Sequence, residues 1–198
     1  MVAPRKVLNV GGDSKQISLP PQYAGWEHFL LDIDPRGAPD IVCDARQLET
    51  LTAASFDSVY CSHNLEHYYC HDARKVLKGF VHVLKADGFA YVRVPDMGEL
   101  MRTVIEKRLD IDDVLYESPA GPITVCDVIY GYARQIERSG QDFFAHKNGF
   151  TQGSLTKFMN EAGFKRIFTA GGNFEITALA FLSAPTAYSQ NLFGLPSD

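Results

Sequence analysis

The feature that most restricts the fold is a series of short apolar runs in the first 95 residues, each followed by glycine, aspartate, serine, histidine or proline. Runs without polar alternation are typical of strands that are buried on both faces of a mostly parallel sheet. The pattern therefore predicts an α/β fold with five such strands: VLNV (7–10), FLLDI (29–33), DIVC (40–43), FDSVYCS (56–62) and FAYVRV (89–94).

One clear helix is predicted between the fourth and fifth strands, at 72–84 (DARKVLKGFVHVL), where apolar residues recur at helical spacing. Asp72 is the predicted N-cap and Gly88 the predicted stop signal. A strand–helix–strand unit of this length indicates parallel neighbours with a right-handed connection. By contrast, Pro20-Pro21 and the short DPRGAP segment leave no room for long helices beside the second strand.

The segment 96–150 is predicted to be a helical insertion that packs over the sheet as a lid. Helices are expected at 100–109 and 124–140, joined by a loop with the sequence YESPAGPIT. The whole chain, 1–198, is expected to form a single domain with this insertion within it.

The last part of the chain predicts a helix followed by a β-hairpin. Ser154 is the predicted N-cap of the helix and Gly163 its end. RIFTA (166–170) and FEITALAFL (174–182) flank a Gly-Gly-Asn turn and predict antiparallel strands. The tail after residue 183 is expected to be a surface arm.

Composition excludes several classes of function. The net charge is −5 and no basic tract occurs, so nucleic acid is not an expected partner. No apolar run is long enough to cross a membrane and no signal peptide is evident, so a soluble, cytoplasmic protein is expected. The cysteines lack zinc or disulfide spacing and indicate a reducing compartment: Cys43, Cys61, Cys70 and Cys126.

Polar residues follow successive predicted strands, where ligands bind in open α/β sheets. Gly11-Gly12 follow the first strand, and Asp32 lies about 20 residues later, the distance typical of an acid that binds ribose hydroxyls. Asp44 could accept from a purine amine, so the set describes an adenosine site. Each member also has a structural interpretation, since Gly11-Gly12 could form a plain turn and Asp44 could cap a helix.

The ordered motifs resemble those of class I S-adenosylmethionine-dependent methyltransferases, in the small methyltransferase type 11-like group. The similarity covers about residues 6–95 and 146–182, and its motifs are LNVGG, WEHFLLDIDP, IVCDARQL, FDSVYCSHNLEH, VLKADGFAYVRVPD, HKNGFT and LTKFMNEAGF. The resemblance implies a three-layer, Rossmann-like, seven-stranded, mostly parallel sheet whose last strand is antiparallel. It also implies S-adenosylmethionine as cofactor, bound across the strand ends.

The resemblance further implies a role for individual residues of the cofactor site. Gly11 and Gly12 are expected to face the methionine part, Asp32 the ribose hydroxyls, Ile33 the adenine ring, Asp44 and Ala45 the adenine edge, and Ser62 and His63 the sulfur region. In this group the glycine loop carries three spaced glycines, whereas the present chain has Gly-Gly-Asp-Ser after its first strand.

The string His63-Asn64-Leu65-Glu66-His67 also matches H-x-x-E-H, the pattern of inverted zinc proteases. That chemistry needs both histidines inside a helix, whereas His63 here directly follows a buried-type strand. No metal ion is therefore predicted from the sequence.

Methyl transfer to a hydroxyl or an amine needs a base, and the candidates are His67 and His146, although each could be a structural histidine. A small-molecule or glycan-precursor acceptor is expected. The alternative is a non-catalytic protein that keeps the fold and acts through binding or an interface. Aromatic residues of the insertion could form an acceptor pocket or the face of a homodimer: Tyr116, Tyr130, Tyr132, Phe143 and Phe144.

Overall fold

The computed structural model describes residues 3–196 and contains one seven-stranded sheet in the order β3-β2-β1-β4-β5-β9-β8. Every strand expected from the sequence is present. Their bounds are β1 Lys6–Val10, β2 Glu27–Asp32, β3 Ile41–Val42, β4 Phe56–Ser62, β5 Leu84–Pro95, β8 Arg166–Gly172 and β9 Glu175–Phe181.

The sheet is parallel except for β9. Strand β1 lies inside the sheet and pairs in parallel with both β2 and β4, whereas β9 runs antiparallel to β5 and β8. Because the first four strands are parallel, their carboxyl ends meet at one edge of the sheet. This arrangement confirms the predicted mostly parallel sheet whose last strand is antiparallel.

Short 3-10 turns replace helices in two early connections, as the prolines predicted: Pro21–Tyr23 and Pro35–Gly37. A third 3-10 turn, Ala45–Thr50, follows β3. The first helix, α1, spans Cys70–Val83. The predicted cap and stop of this helix were wrong: Tyr69 is the N-cap, and Gly88 lies inside β5. The helix ends earlier because its last carbonyls, of His82 and Val83, accept from the amides of Ala54 and Ser55, at 3.0 and 2.8 Å.

One face of the sheet is covered by α1 and by α5, which spans Gln152–Ala162. These helices pack on the main hydrophobic core, in which Val59, Cys61 and Val92 are fully buried. The predicted cap of α5 was wrong, because Thr151 is the N-cap and its hydroxyl accepts from the Ser154 amide. The hydroxyl of Ser154 in turn accepts from the Thr151 amide, so the two residues form a reciprocal capping box.

The other face carries a second core, which includes Tyr23, Tyr60 and Phe89. Here the predicted surface arm is wrong, because the tail forms helix α6 at Ala187–Phe193 and covers this face. The ring of Phe193 packs edge-on against Phe89, with the ring centroids 5.2 Å apart. With α1 and α5 opposite, the fold has three layers, as expected from the resemblance.

The segment 96–150 between β5 and α5 contains helix α2 (Met97–Lys107), strands β6 (Val114–Ser118) and β7 (Gly121–Thr124), and helices α3 (Val125–Tyr130) and α4 (Ala133–Ser139). Two local predictions were wrong, since the expected loop is the β6–β7 hairpin and the expected long helix is broken between α3 and α4. The break occurs at Gly131, whose φ of 96° and ψ of 156° do not continue a helix. The segment has its own small core around Leu100, Leu115, Val125 and Val128.

All four cysteines are free, as their spacing indicated. Among residues 3–196, none of the helices combines the length and apolar character needed to cross a membrane.

Candidate functional site

A cavity of about 300 Å³ opens at the carboxyl ends of the first four strands. We call it the first cavity. Its size lies at the lower end of the range of small-ligand pockets. Its walls are formed by strand-end loops, by the turn before α1 and by residues 143–147: Gly11, Asp13, Asp32, Ile33, Asp34, Asp44, Arg46, His63, Asn64, His67, Tyr68, Tyr69, Asp72, Phe143, Phe144 and Lys147.

At Gly11, the backbone of the loop after β1 lies close to the side chain of Asn64. Its φ is 70°, and its amide donates to the carbonyl of Leu31 at 2.8 Å. A Cβ at this position would lie 2.1 Å from Nδ2 of Asn64, which is far inside van der Waals contact. The loop therefore needs glycine here, both for its backbone conformation and for the close approach to Asn64.

Asp32 is the last residue of β2, and only 9% of it is exposed. Its Oδ2 accepts from the amide of Asp13 at 3.0 Å, and its Oδ1 accepts from the amide of Asp34 at 2.9 Å. Each carboxylate oxygen has a second lone pair, so both oxygens can still accept from ligand hydroxyls. The two amides fix the carboxylate in orientation at the wall of the first cavity.

Two further carboxylates in this cavity are paired with arginines two residues later. Nε of Arg46 lies 3.0 and 2.9 Å from the two oxygens of Asp44, and Arg36 holds Asp34 in the same way. Burial alone would raise the pKa of Asp44, but the side-chain and backbone hydrogen bonds from Arg46 outweigh it and hold that pKa below its ordinary value. Asp44 also caps the following 3-10 turn, the structural role that the sequence left open.

The structure brings some of the residues expected at the cofactor site to the first cavity and places others elsewhere. Gly11, Asp32, Ile33, Asp44 and His63, together with the candidate base His67, line it.

Gly12, Ala45, Ser62 and His146 are not part of this wall. Gly12 faces the side chain of Asn9, Ala45 is only 2% exposed, and Ser62 pairs with Arg93 in the sheet. The expected cofactor contacts of Gly12, Ala45 and Ser62 stay predictions.

A second cavity, of about 250 Å³, lies between the sheet edge and the segment 96–150. Its walls are His63, Pro95, Tyr116, Ile123, Asp127, Val128, Tyr132, His146, Asn173, Phe174 and Glu175. The rings of Tyr116 and Phe174 are stacked, with centroids 5.7 Å apart and planes at 12°. His63 lines both cavities, so its side chain marks the boundary between them.

His63 is held by carboxylates on both sides. Its Nε2 lies 2.9 Å from Oε2 of Glu175, which also binds Arg93 at 2.8 Å, and its Nδ1 lies 3.5 Å from Oε1 of Glu66. Burial alone would lower the pKa of His63, but the bond to Glu175 and the nearby charge of Glu66 outweigh it and raise that pKa to about 9. The ring is therefore positively charged at neutral pH.

A group of titratable residues at the two cavities contains the buried Glu66 and the half-buried His67 and His146. The rings of His67 and His146 are 5.1 Å apart, and Nδ1 of His146 donates to the carbonyl of Val128 at 2.9 Å. Desolvation is the main cause that lowers the pKa of His146, so its ring is neutral at pH 7. For Glu66, desolvation would raise the pKa, but the neighbouring histidine rings, led by His63, hold it below its ordinary value.

The string H-x-x-E-H does not form the helix that zinc proteases use. Leu65–His67 is a single 3-10 turn, and His63 precedes it with a φ of 49°. The protease interpretation therefore lacks its structural context.

Several residues of the first cavity had no role assigned from the sequence, including Asn64, Tyr68, Tyr69 and Lys147. The amide oxygen of Asn64 is buried and makes no hydrogen bond to the described part of the chain. Lys147 lies over the ring of Tyr69, with Nζ 6.0 Å from the ring centroid. Asn64 follows a strand and could have been chosen on that ground, whereas the contact between Lys147 and Tyr69 joins distant segments that no local pattern connects.

Comparison with known proteins places this site in context. Residues 15–92 match the family model described as "Methyltransferase domain". No curated protein matches the sequence.

Among solved structures, a protein from Pyrococcus horikoshii is 16% identical, with a TM-score of 0.60 over 90% of this chain and 82% of that one. An S-adenosylmethionine-dependent methyltransferase from Archaeoglobus fulgidus is 14% identical, with a TM-score of 0.56 over 89% and 86%. The 1,6-didemethyltoxoflavin-N1-methyltransferase of Burkholderia thailandensis, solved with S-adenosylhomocysteine, is 16% identical, with a TM-score of 0.51 over 89% and 70%. At these identities the likeness concerns the fold.

Proposed function

We propose that this chain is a class I S-adenosylmethionine-dependent methyltransferase that transfers a methyl group from S-adenosylmethionine to a small acceptor. The fold and the match of residues 15–92 to a methyltransferase family model support this proposal. The cofactor is assigned to the first cavity and the acceptor to the second. A small molecule or a glycan precursor is the proposed acceptor class.

The observation that carries the proposal is the position of Asp32 opposite Gly11 at the carboxyl ends of adjacent parallel strands, in the wall of one cavity. Ligands of open α/β sheets bind at this edge. Asp32 presents a fixed carboxylate to a pair of hydroxyls, and Gly11 lets the backbone approach the ligand closely. Both features fit an adenosyl ligand.

The charge of the first cavity supports the same assignment. Aspartates outnumber basic residues in its wall, and neither Asp13 nor Asp32 makes an ion pair with another described residue. S-adenosylmethionine carries a sulfonium and an ammonium group against one carboxylate, so an acidic cavity favours it over an anionic cofactor. When bound, the cofactor supplies an electrophilic methyl group, and the protein positions the two reactants.

The second cavity supports a small acceptor. Its volume of about 250 Å³ lies near the lower end of the range of small-ligand pockets. The aromatic wall of Tyr116 and Phe174 can pack on the flat face of an acceptor. His63 lines both cavities, so the two cavities are adjacent, as direct transfer of a methyl group between their ligands requires.

Of the two candidate bases, His146 suits proton removal better than His67. It lines the second cavity, its pKa is lowered by burial, and its Nδ1 is bound to a carbonyl, which leaves Nε2 to accept a proton. Both ring nitrogens of His67 instead face backbone carbonyls, of Ala145 at 3.2 Å and His63 at 3.1 Å.

A second candidate function is cofactor binding without catalysis. It is favoured by the environment of His67, whose ring is held by backbone carbonyls on both sides as a structural histidine would be. In that case the chain would act through a bound adenosyl ligand or through an interface.

The test is a calorimetric titration of ligand-stripped protein with S-adenosylmethionine and S-adenosylhomocysteine. We expect micromolar binding to the wild type and a loss of at least about tenfold in Asp32→Ala, which corresponds to about 1.4 kcal/mol. Asp112→Ala is the matched control, since Asp112 is exposed in the segment 96–150 and outside both cavities. Circular dichroism of each variant verifies folding.

No binding of either ligand to folded wild type would overturn the proposal. If the cofactor binds, a radiolabelled methyl-transfer assay against a panel of small amines, phenols and sugar nucleotides follows. Binding without transfer to any acceptor would favour the second candidate.

A further inference from the structure

We propose that Glu66, His67 and His146 bind a divalent transition-metal ion between the two cavities. One ligand atom from each residue lies within 4.8 Å of the other two. Around zinc, with bonds of about 2.0–2.1 Å, tetrahedral ligand atoms lie about 3.4 Å apart, so side-chain shifts of about 1 Å complete the site.

The strongest evidence is the carboxylate of Glu66. Only 1% of the residue is exposed, and neither side-chain oxygen makes a hydrogen bond within residues 3–196. The nearest ring nitrogen is Nδ1 of His63, at 3.5 Å. The charged ring of His63 offsets part of the cost of burying this carboxylate but makes no hydrogen bond to it. A bound cation would give the carboxylate a direct ligand bond and offset the remaining cost.

His146 is oriented as metal-binding histidines usually are. Its Nδ1–H donates to the carbonyl of Val128 at 2.9 Å, and its backbone amide donates to Tyr130 at 3.0 Å. A carbonyl bound to one ring nitrogen fixes the tautomer and leaves the lone pair of Nε2 for a metal ion.

His67 would supply a ligand nitrogen after its ring turns away from one of the two carbonyls that it faces. A neutral imidazole carries one N–H, so only one of the carbonyls of Ala145 and His63 can receive a bond from it. The other nitrogen presents a lone pair towards a carbonyl oxygen, which is unfavourable. Coordination of a cation by that nitrogen removes the repulsion.

The donor set selects the kind of metal. Two imidazoles and one carboxylate suit zinc, manganese or iron(II), whereas magnesium and calcium prefer oxygen ligands alone. Three protein ligands leave at least one coordination position for water or another ligand, as in catalytic rather than structural zinc sites.

The location suggests a role for the ion. His67 lines the first cavity and His146 lines the second, so the ion would lie at their boundary. An acceptor hydroxyl bound to it would lose its proton more readily, and the ion would then replace His146 as the means of activating the acceptor. This role rests on the proposed function, whereas binding of the metal does not.

The test is a calorimetric titration of chelator-treated protein with zinc chloride, without cofactor. We expect one zinc ion per chain, and an affinity at least tenfold lower in Glu66→Gln and in His146→Ala. Manganese chloride is expected to bind at the same site and magnesium chloride to bind far more weakly. His71→Ala is the matched control and should bind zinc like the wild type, because His71 lies on α1 outside the cluster.

Glu66→Gln keeps the shape of the side chain and removes a buried charge, so it is expected to fold, and a thermal melt verifies this. The proposal is overturned if folded wild type binds no zinc, or if Glu66→Gln and His146→Ala bind it as tightly as the wild type does. A protein that binds S-adenosylhomocysteine but not zinc would refute the metal site alone. A protein that binds zinc but neither adenosyl ligand would refute the proposed function alone.

Discussion

Gly131 separates α3 from α4 and holds the chain that follows against the cavities. Its φ of 96° and ψ of 156° lie in a region that is open essentially to glycine only. A Cβ here would lie 2.6 Å from the carbonyl oxygen of Phe144 and 3.2 Å from the amide nitrogen of His146. Gly131→Ala should therefore strain the backbone and push residues 144–146 away from it.

The size of the effect follows from these two contributions. The backbone conformation alone costs about 1–3 kcal/mol for a residue with a Cβ, and the backbone contact adds to it. Gly140 offers a matched control in the same segment, since its φ is 63° but nothing lies within 4 Å of an added Cβ. Gly140→Ala should cost only about 1–2 kcal/mol. In a domain of this size, 1 kcal/mol corresponds to about 2–4 °C in Tm.

Two measurements check this prediction. Urea unfolding should show a larger loss of unfolding free energy in Gly131→Ala than in Gly140→Ala, of about 3 kcal/mol against about 1–2 kcal/mol. Titration with S-adenosylhomocysteine should show weaker binding only in Gly131→Ala, because Phe144 and Lys147 line the first cavity. Equal losses of stability and equal affinities in the two variants would refute the argument.

Three further substitutions test other parts of the structure. Tyr23→Phe removes the bond to the buried Ser58 hydroxyl at 2.8 Å and should lower the unfolding free energy at pH 7 by about 1–3 kcal/mol. Burial raises the pKa of Tyr23, so the neutral side chain stabilises the fold below pH about 10, and this stability is lost at higher pH. The unfolding free energy measured in urea should therefore fall less steeply above that pH in Tyr23→Phe than in the wild type. Parallel pH profiles of the two proteins would contradict this prediction. Gly11→Ala should weaken S-adenosylhomocysteine binding at least about tenfold in calorimetry through the clash with Asn64, and an unchanged Kd would contradict the loop geometry. Asp96→Ala removes the α2 cap bonds of 2.8 and 3.1 Å and should cost about 1–2 kcal/mol in urea unfolding, most of which Asp96→Asn should restore; equal losses in both variants would exclude a capping role.

The sheet could be predicted from the sequence because its strands carry their signal locally. Phe56–Ser62 is buried along nearly its whole length and forms β4 with the predicted bounds. The connections also followed from local chemistry, since the prolines at 20, 21 and 35 exclude long helices. The order of the strands needed the family resemblance, because several parallel orders satisfy the same apolar pattern.

Features that depend on distant contacts were the ones missed. Helix α6 packs on the second core through Leu192 and Phe193, a contact that its short sequence alone does not reveal. The break at Gly131 depends on the close approach of Phe144, which lies 13 residues further along the chain. The same holds for Asp44 within the site. A carboxylate at a strand end can bind either a ligand or an arginine, and the sequence does not say which; in the structure Asp44 binds Arg46.

The motif HNLEH has a structural function that is separable from its side chains. The backbone carbonyl of Glu66 accepts from the amides of Lys147 and Asn148, at 2.8 and 3.1 Å, and so ties the segment 96–150 to the turn after β4. This tie also brings His146 beside Glu66. Because Glu66→Gln leaves the carbonyl in place, it alters the carboxylate while the segment stays attached. Its effects on zinc binding and on methyl transfer therefore show what the carboxylate of Glu66 contributes. The effects of Gly131→Ala show instead what the attachment of the segment 96–150 to the turn after β4 contributes.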